Sequence, residues 1–272
     1  MPALTNIATR LKEDPDWRKQ YKHHRLQARR IARRIHLIHV SGNPDRVPFC
    51  QLLSVPPHEI PTSDEAAAYC SPHTRETEDN FGLPRSVYFY AGRAHHTFGK
   101  IALIFEADSE QAREGSATPF DTGGMHKGLI NVSLADKELQ TLKDFVTDST
   151  LTLAEWRKAF ARYLAAYFAP LSTYWSGTPC RPDPDELLLT NGDNWRAWVF
   201  EVRLHHQGHS LLKAVAWCAS TGQLALIRRE LKKNPANPSF RQFFKTARNL
   251  VPQGTANYCA ETENWVQREV FS

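Results

Sequence analysis

The sequence predicts an α+β fold with flanking helices and a basic N-terminal helix, and three observations carry that expectation. The runs 86–91, 100–105, 195–205 and 211–218 are short, rich in β-branched and aromatic residues, and bounded by turn-forming residues, as strands are. The spans 134–146 and 153–168 instead repeat apolar residues at helical spacing. Residues 1–44 hold ten Lys/Arg against three Asp/Glu, while the other 228 residues hold 24 basic and 26 acidic groups. The net charge of +5 therefore belongs to one segment of the chain.

With 272 residues, 41% of them hydrophobic, the chain has enough apolar material for one large core. The expected organisation is a basic helical segment over 1–44 and a single α+β catalytic domain over 45–272. The longest apolar stretches, such as 101–105 and 187–189, are far shorter than the roughly 20 residues that cross a bilayer. Lys12, Glu13, Asp14 and Asp16 interrupt the N-terminus before an apolar signal core forms. A soluble, cytoplasmic chain without a membrane partner is expected. Cysteines stand at 50, 70, 180, 218 and 259; an odd set without a CxxC pair points to reduced thiols rather than a disulfide frame or structural zinc.

Along the chain, 16–40 reads as one helix with Asp16 as its N-cap. Ile31, Ile35 and Ile38 recur at helical spacing, and Arg25, Arg29, Arg30, Arg33 and Arg34 crowd the other faces. Such a surface suits a polyanion, nucleic acid or an acidic protein, and it equally suits a solvated helix face. Residues 45–85 carry six prolines and read as an irregular wrapping region with one short helix at 63–69. Runs 86–91 and 100–105 read as a hairpin or as neighbouring core strands. Between Gly115 and Gly124 the sequence reads as a loop, its adjacent glycines permitting unusual backbone angles. Thr152 with Glu155 makes a capping box ahead of the 153–168 helix. Strand 195–205 is expected to pair with 211–218, and 223–233 and 239–250 read as short helices.

Four groups of residues carry chemistry. Tyr88 to His96 places Tyr90, Gly92, Arg93 and His95 at one strand end, where Arg grips a pyrophosphate and Tyr stacks on a ring. Core tyrosines with a surface arginine are the plainer alternative. Glu201 interrupts an apolar strand of Val199, Phe200, Val202 and Leu204, and a carboxylate there is costly unless paired or functional. Arg203, two positions on, offers a structural ion pair instead. The third group, Thr118, Phe120 and Asp121, lies in the glycine-containing loop and suits a ribose hydroxyl, a metal or a simple turn cap. In the fourth, His205, His206 and His209 invite a metal, but strand alternation lets at most two converge, and no metal site is expected. The chain has no P-loop, GxGxxG or GxSxG, which argues against ATP, a Rossmann cofactor and a nucleophile elbow.

Taken in order, these segments resemble the ADP-ribosyltransferase family over about residues 86–218. Tyr90-Ala-Gly-Arg93 with His95 is similar to the family's first element, Thr118-Pro-Phe-Asp-Thr-Gly-Gly124 to its middle one, and Trp198-Val-Phe-Glu201-Val-Arg203 to its last. The resemblance implies a split antiparallel or mixed sheet that clamps NAD as co-substrate. Glu201 would be its catalytic residue, and Tyr90, Gly92, Arg93, His95, Thr118, Phe120 and Asp121 would bind NAD. The sequence departs from the family in having no Ser-Thr-Ser motif, and Val199 stands where a second acidic or amide residue often selects a protein acceptor. Nucleic acid is therefore the favoured acceptor. A toxin or defence effector with an inhibitory antitoxin is the implied setting. The alternatives are a non-enzymatic nucleic-acid-binding protein using the basic helix, or a metal-dependent nuclease built on Asp121 and the histidines.

Overall fold

The computed structural model describes residues 2–41, 72–84, 86–95, 101–105, 115–127, 138–180, 198–204, 212–217, 257–259 and 264–266. Two helices open the chain, α1 (Pro2–Glu13) and α2 (Pro15–Arg34). Asp14 between them caps α2, its carboxylate accepting the Trp17 N–H at 2.8 Å, and Pro15 takes a position where an N–H is not needed. The expectation of one helix over 16–40 capped by Asp16 is thus corrected at both ends. Ile35 turns extended, and Leu37–Ser41 becomes strand β1. Ile38 follows Ile31 and Ile35 at helical spacing but lies in the strand. The run Leu-Ile-His-Val-Ser favours strand, and both of its edges find partners.

Strand β1 belongs to a seven-stranded sheet with β2 (Val87–Ala91), β4 (Ile101–Phe105), β5 (Gly115–Thr118), β6 (Leu151–Thr152), β7 (Glu201–Leu204) and β8 (Leu212–Trp217). The order is β6-β5-β7-β2-β1-β4-β8, and every pairing is antiparallel. A second sheet joins β3 (Arg93–His95), β10 (Asn264–Val266) and β9 (Asn257–Cys259) in that order. The fold is α+β with an antiparallel sheet. Two expected pairings are corrected. Strand β1 separates β2 from β4, so they form no hairpin. Strand β8 pairs with β4 at one edge, whereas β7 sits between β5 and β2. Neighbours in sequence are only a tendency for neighbours in a sheet.

The remaining helices are α3 (Pro72–Phe81), α4 (Thr122–His126), α5 (Leu139–Ser149) and α6 (Trp156–Tyr167). Helix α3 corrects the reading of 45–85 as irregular. Pro72 begins it, where proline is tolerated, and Leu83 N–H closes it on Glu78 C=O at 2.8 Å. The helix expected at 63–69 lies outside the described residues, as do those at 223–233 and 239–250. The Gly115–Gly124 loop is also corrected: it is strand β5 followed by the first turn of α4, with neither Gly123 nor Gly124 at positive φ.

Helices α2 and α6 run antiparallel across one sheet face. Trp17 Nε1 donates to Ala166 C=O at one end of the pair, and Arg157 donates to Ile35 C=O at 3.1 Å at the other. Phe200 lies 5.2 Å from the Phe160 ring and 6.3 Å from Trp156, and Leu37, Phe89 and Val202 join Ile31 and Ala32 in the same core. Helix α2 and strand β1 thus share one core and one sheet with the described parts of α6, β2, β4 and β7. Alternation along the strands sends Tyr88, Tyr90, Ser116, Thr118, Glu201 and Arg203 to the opposite face.

The chain leaves the large sheet for the small one at Gly92, whose φ is +64°. Its N–H donates to His36 C=O at 3.0 Å, and a Cβ there would lie 2.2 Å from Ile35 Cδ1. Gly92→Ala combines a left-handed backbone with overpacking and is expected to destabilise the fold by about 2–4 kcal/mol. Urea unfolding checks this, as a large fall in the midpoint without a change in slope.

Candidate active site

Strand β7 sends Glu201 into the polar face of the sheet, in register with Tyr90 on β2 and Thr118 on β5. The side chain is completely buried. Thr122, the first residue of α4, holds both carboxylate oxygens: its hydroxyl donates to Oε1 at 2.7 Å and its N–H to Oε2 at 3.2 Å. The sequence allows this because β5 ends at Thr118, which pairs with Glu201, and the next four residues turn the chain back. Thr118 stabilises that turn by donating to Phe120 C=O at 3.0 Å, and Phe120 stacks on Phe145.

Arg203 follows on the same face, its Nε 3.8 Å from Glu201 Oε1 and its Nη2 3.4 Å from Thr150 Oγ1. Its Nη1 is buried and has no hydrogen-bond partner among the described residues. Asp121 is buried nearby. Burial pushes the Glu201 carboxyl up from 4.5 to about 7; Arg203 opposes that rise, Asp121 adds to it, and the Thr122 bonds oppose it. Two further side chains extend this polar face. Glu78 of α3 is buried and accepts the Ser86 N–H at 3.0 Å and the Tyr88 hydroxyl at 3.3 Å. Burial, with Glu201 and Glu78 close by, keeps Tyr88 protonated well above the usual phenol range.

The structure brings together Glu201, Tyr90, Thr118 and Asp121 of the residues singled out in the sequence. Arg93 lies elsewhere. On β3 it packs into the aromatic cluster beneath α6, its guanidinium 5.1 Å from the Tyr174 ring centroid and Nη2 donating to Trp198 C=O. Gly177 leaves room for it, since a Cβ there would come within 2.5 Å of Arg93 Nη1. That cluster fills the face opposite Glu201. His95 is also on β3, buried, with its backbone paired to Asn264, and Gly92 serves the sheet-to-sheet crossing. Phe120 is core. Arg25, Arg29, Arg30, Arg33 and Arg34 are all exposed along α2.

Sequence reasoning passed over Thr122 and Glu78. Thr122 had a signal, a hydroxyl beside Asp121 at a chain reversal; Glu78, in a proline-flanked polar segment, had none. The histidines 205–209 lie outside the described residues, and among the described residues no group of three His, Cys, Asp or Glu is placed to hold a metal. None of the described helices is long and apolar enough to cross a membrane. No protein-family model matches the chain, and no curated protein matches it.

The raised Glu201 pKa fixes the sign of a pH effect on stability. Between about 4.5 and about 7 the folded chain holds a proton that the unfolded chain releases. Stability therefore falls as pH rises through that window and levels off above it. Glu201→Gln removes the titration, so its stability relative to the parent should improve by roughly 3 kcal/mol from pH 4 to pH 8. Parallel denaturant curves for the two proteins would reject this if they kept a constant separation.

Proposed function

We propose that the chain is an NAD-consuming ADP-ribosyltransferase whose catalytic carboxylate is Glu201. The observation that carries this reading is the meeting of the 118–122 segment with Glu201, through the Thr118 register and the two Thr122 hydrogen bonds. These are the middle and last elements of the resemblance. Tyr90, from the first, is Glu201's register partner on the other side. In the reaction the bond between the ribose anomeric carbon and nicotinamide breaks, and nicotinamide leaves with the electron pair. An acceptor nucleophile then bonds to that carbon and gives up its proton. The ionised Glu201, accepting hydrogen bonds from the ribose hydroxyls, stabilises the cationic transition state, as a preorganised charge does in a dry site.

Arg93 does not suit the anion-gripping role, because it is packed on the far face. Arg203 suits it better, being adjacent to Glu201 with Nη1 unengaged among the described residues.

Labelled NAD incubated with the protein, nucleic acids and cell lysate tests the reading through nicotinamide release and label transfer. Both should fall at least a hundredfold in Glu201→Gln, with circular dichroism used to show that the variant is folded. In the parent, release should rise with pH to a midpoint near 7, where the carboxyl ionises. Undiminished turnover in the variant would remove Glu201 from the chemistry. Absence of NAD consumption with every acceptor would overturn the transferase reading.

A further inference from the structure

We propose that the outer face of α2, continued by α6, is a docking surface for duplex nucleic acid on the side of the molecule away from Glu201. This goes beyond the transferase reading and stands independently of it. Helix α2 has 20 residues and so extends about 30 Å. Lys19, Lys22, Arg25, Arg29, Arg30 and Arg33 are exposed along it, and Asp16 is its sole acidic residue. On α6, Lys158 and Arg162 are also exposed, and the helix itself contains no acidic residue. None of these eight cations pairs with a carboxylate among the described residues. The charge is thus presented outward rather than neutralised within the fold.

The apolar content of the face selects the class of partner. Trp17 is buried, and Tyr21 packs against the core. The rings of His23 and His24 pack edge-on to each other at 4.8 Å. Leu26, 60% exposed, is the one large apolar side chain that α2 exposes. A stable protein interface needs a desolvated apolar centre, and single-strand binding needs exposed rings on which bases stack. One leucine supplies no apolar centre, and the His23 and His24 rings are set edge-on to each other rather than in a stacking row. Fixed rows of phosphate on a double helix need only cations at fixed positions. The surface is also rigid, because α2 is tied to α6 at both ends by the Trp17 and Arg157 bonds. Little ordering cost would then accompany binding.

Position separates this surface from the chemistry. Helices α2 and α6 cover the sheet face carrying Phe200 and Val202, whereas Glu201 projects from the other face. The cations point away from the sheet, so a helix of about 10–12 Å and the sheet itself lie between them and Glu201. A duplex docked there is held by the protein without being offered to Glu201. It acts as a tether, and an acceptor would have to reach Glu201 from the opposite side.

Fluorescence anisotropy with a labelled duplex about two helical turns long, as RNA and as DNA, tests this against its component single strands over roughly 50–200 mM salt. The parent should bind either duplex more tightly than the single strands, with affinity falling steeply as salt rises. Changing Arg25, Arg29, Arg30 and Arg33 together to Gln should weaken duplex binding at least tenfold and flatten the salt slope by about 3–4. The matching change to Lys should retain most binding, because charge rather than shape is read. Unchanged affinity in the Gln variant would overturn the proposal. Tighter binding to single strands, or to vesicles rich in anionic phosphatidylserine, would overturn it as well. Glu201→Gln should bind duplex as the parent does, so this result and that of the transferase test are separate.

Discussion

The cost of burying Glu201 is the constraint around which this structure is arranged. A carboxylate buried between two strands must be neutralised by a proton, a cation or hydrogen-bond donors. The chain supplies something of each. Burial raises the carboxyl to about 7, Arg203 stands 3.8 Å away, and Thr122 donates twice. Apolar replacement of such a group is often neutral or stabilising in other proteins, so a buried carboxylate contributes little to a stability argument. Its burial beside Arg203 is explained better by the proposed chemistry than by a gain in stability.

The sheet gives the described part of the molecule two chemically different sides. On one, α2 and α6 seal an aromatic core and display cations to solvent. On the other, the described strand residues present the Glu201 carboxylate, several hydroxyls and the Arg203 guanidinium toward α3 and α4, which add Glu78 and Asp121. Arg93 shows how strict the division is. It comes only two residues after the strand that faces Glu201, but the chain changes sheet at Gly92, and the guanidinium enters the core on the other side. Among the described residues, the guanidinium that stands beside Glu201 is that of Arg203.

Local chemistry made part of this arrangement legible in the sequence. Strands β2 and β4 and helix α6 announce themselves through β-branched or aromatic runs and helical spacing. Glu201 was visible as a carboxylate among Phe200, Val202 and Leu204. What the sequence concealed is non-local. Ile31, Ile35 and Ile38 continue a helical rhythm across a boundary that only strand pairing on both edges of β1 enforces. The prolines around α3 read as breakers, although one of them occupies the helical position that tolerates proline. Strand order, with β8 four positions from β7, depends on burial across the whole sheet, and no window of sequence contains that information. Thr122 acquires its role only once β5 and β7 are paired.

The ionisation of Glu201 in the folded chain is the most direct test of this account. Selective ¹³C labelling of glutamate would allow the Glu201 carboxyl resonance to be followed with pH, with Glu201→Gln used for its assignment. A midpoint near 7 would agree with a buried carboxyl held between Arg203, Asp121 and Thr122. A midpoint near the ordinary 4.5 would mean that the group is solvated or fully ion-paired, contradicting the buried site from which the functional reading starts.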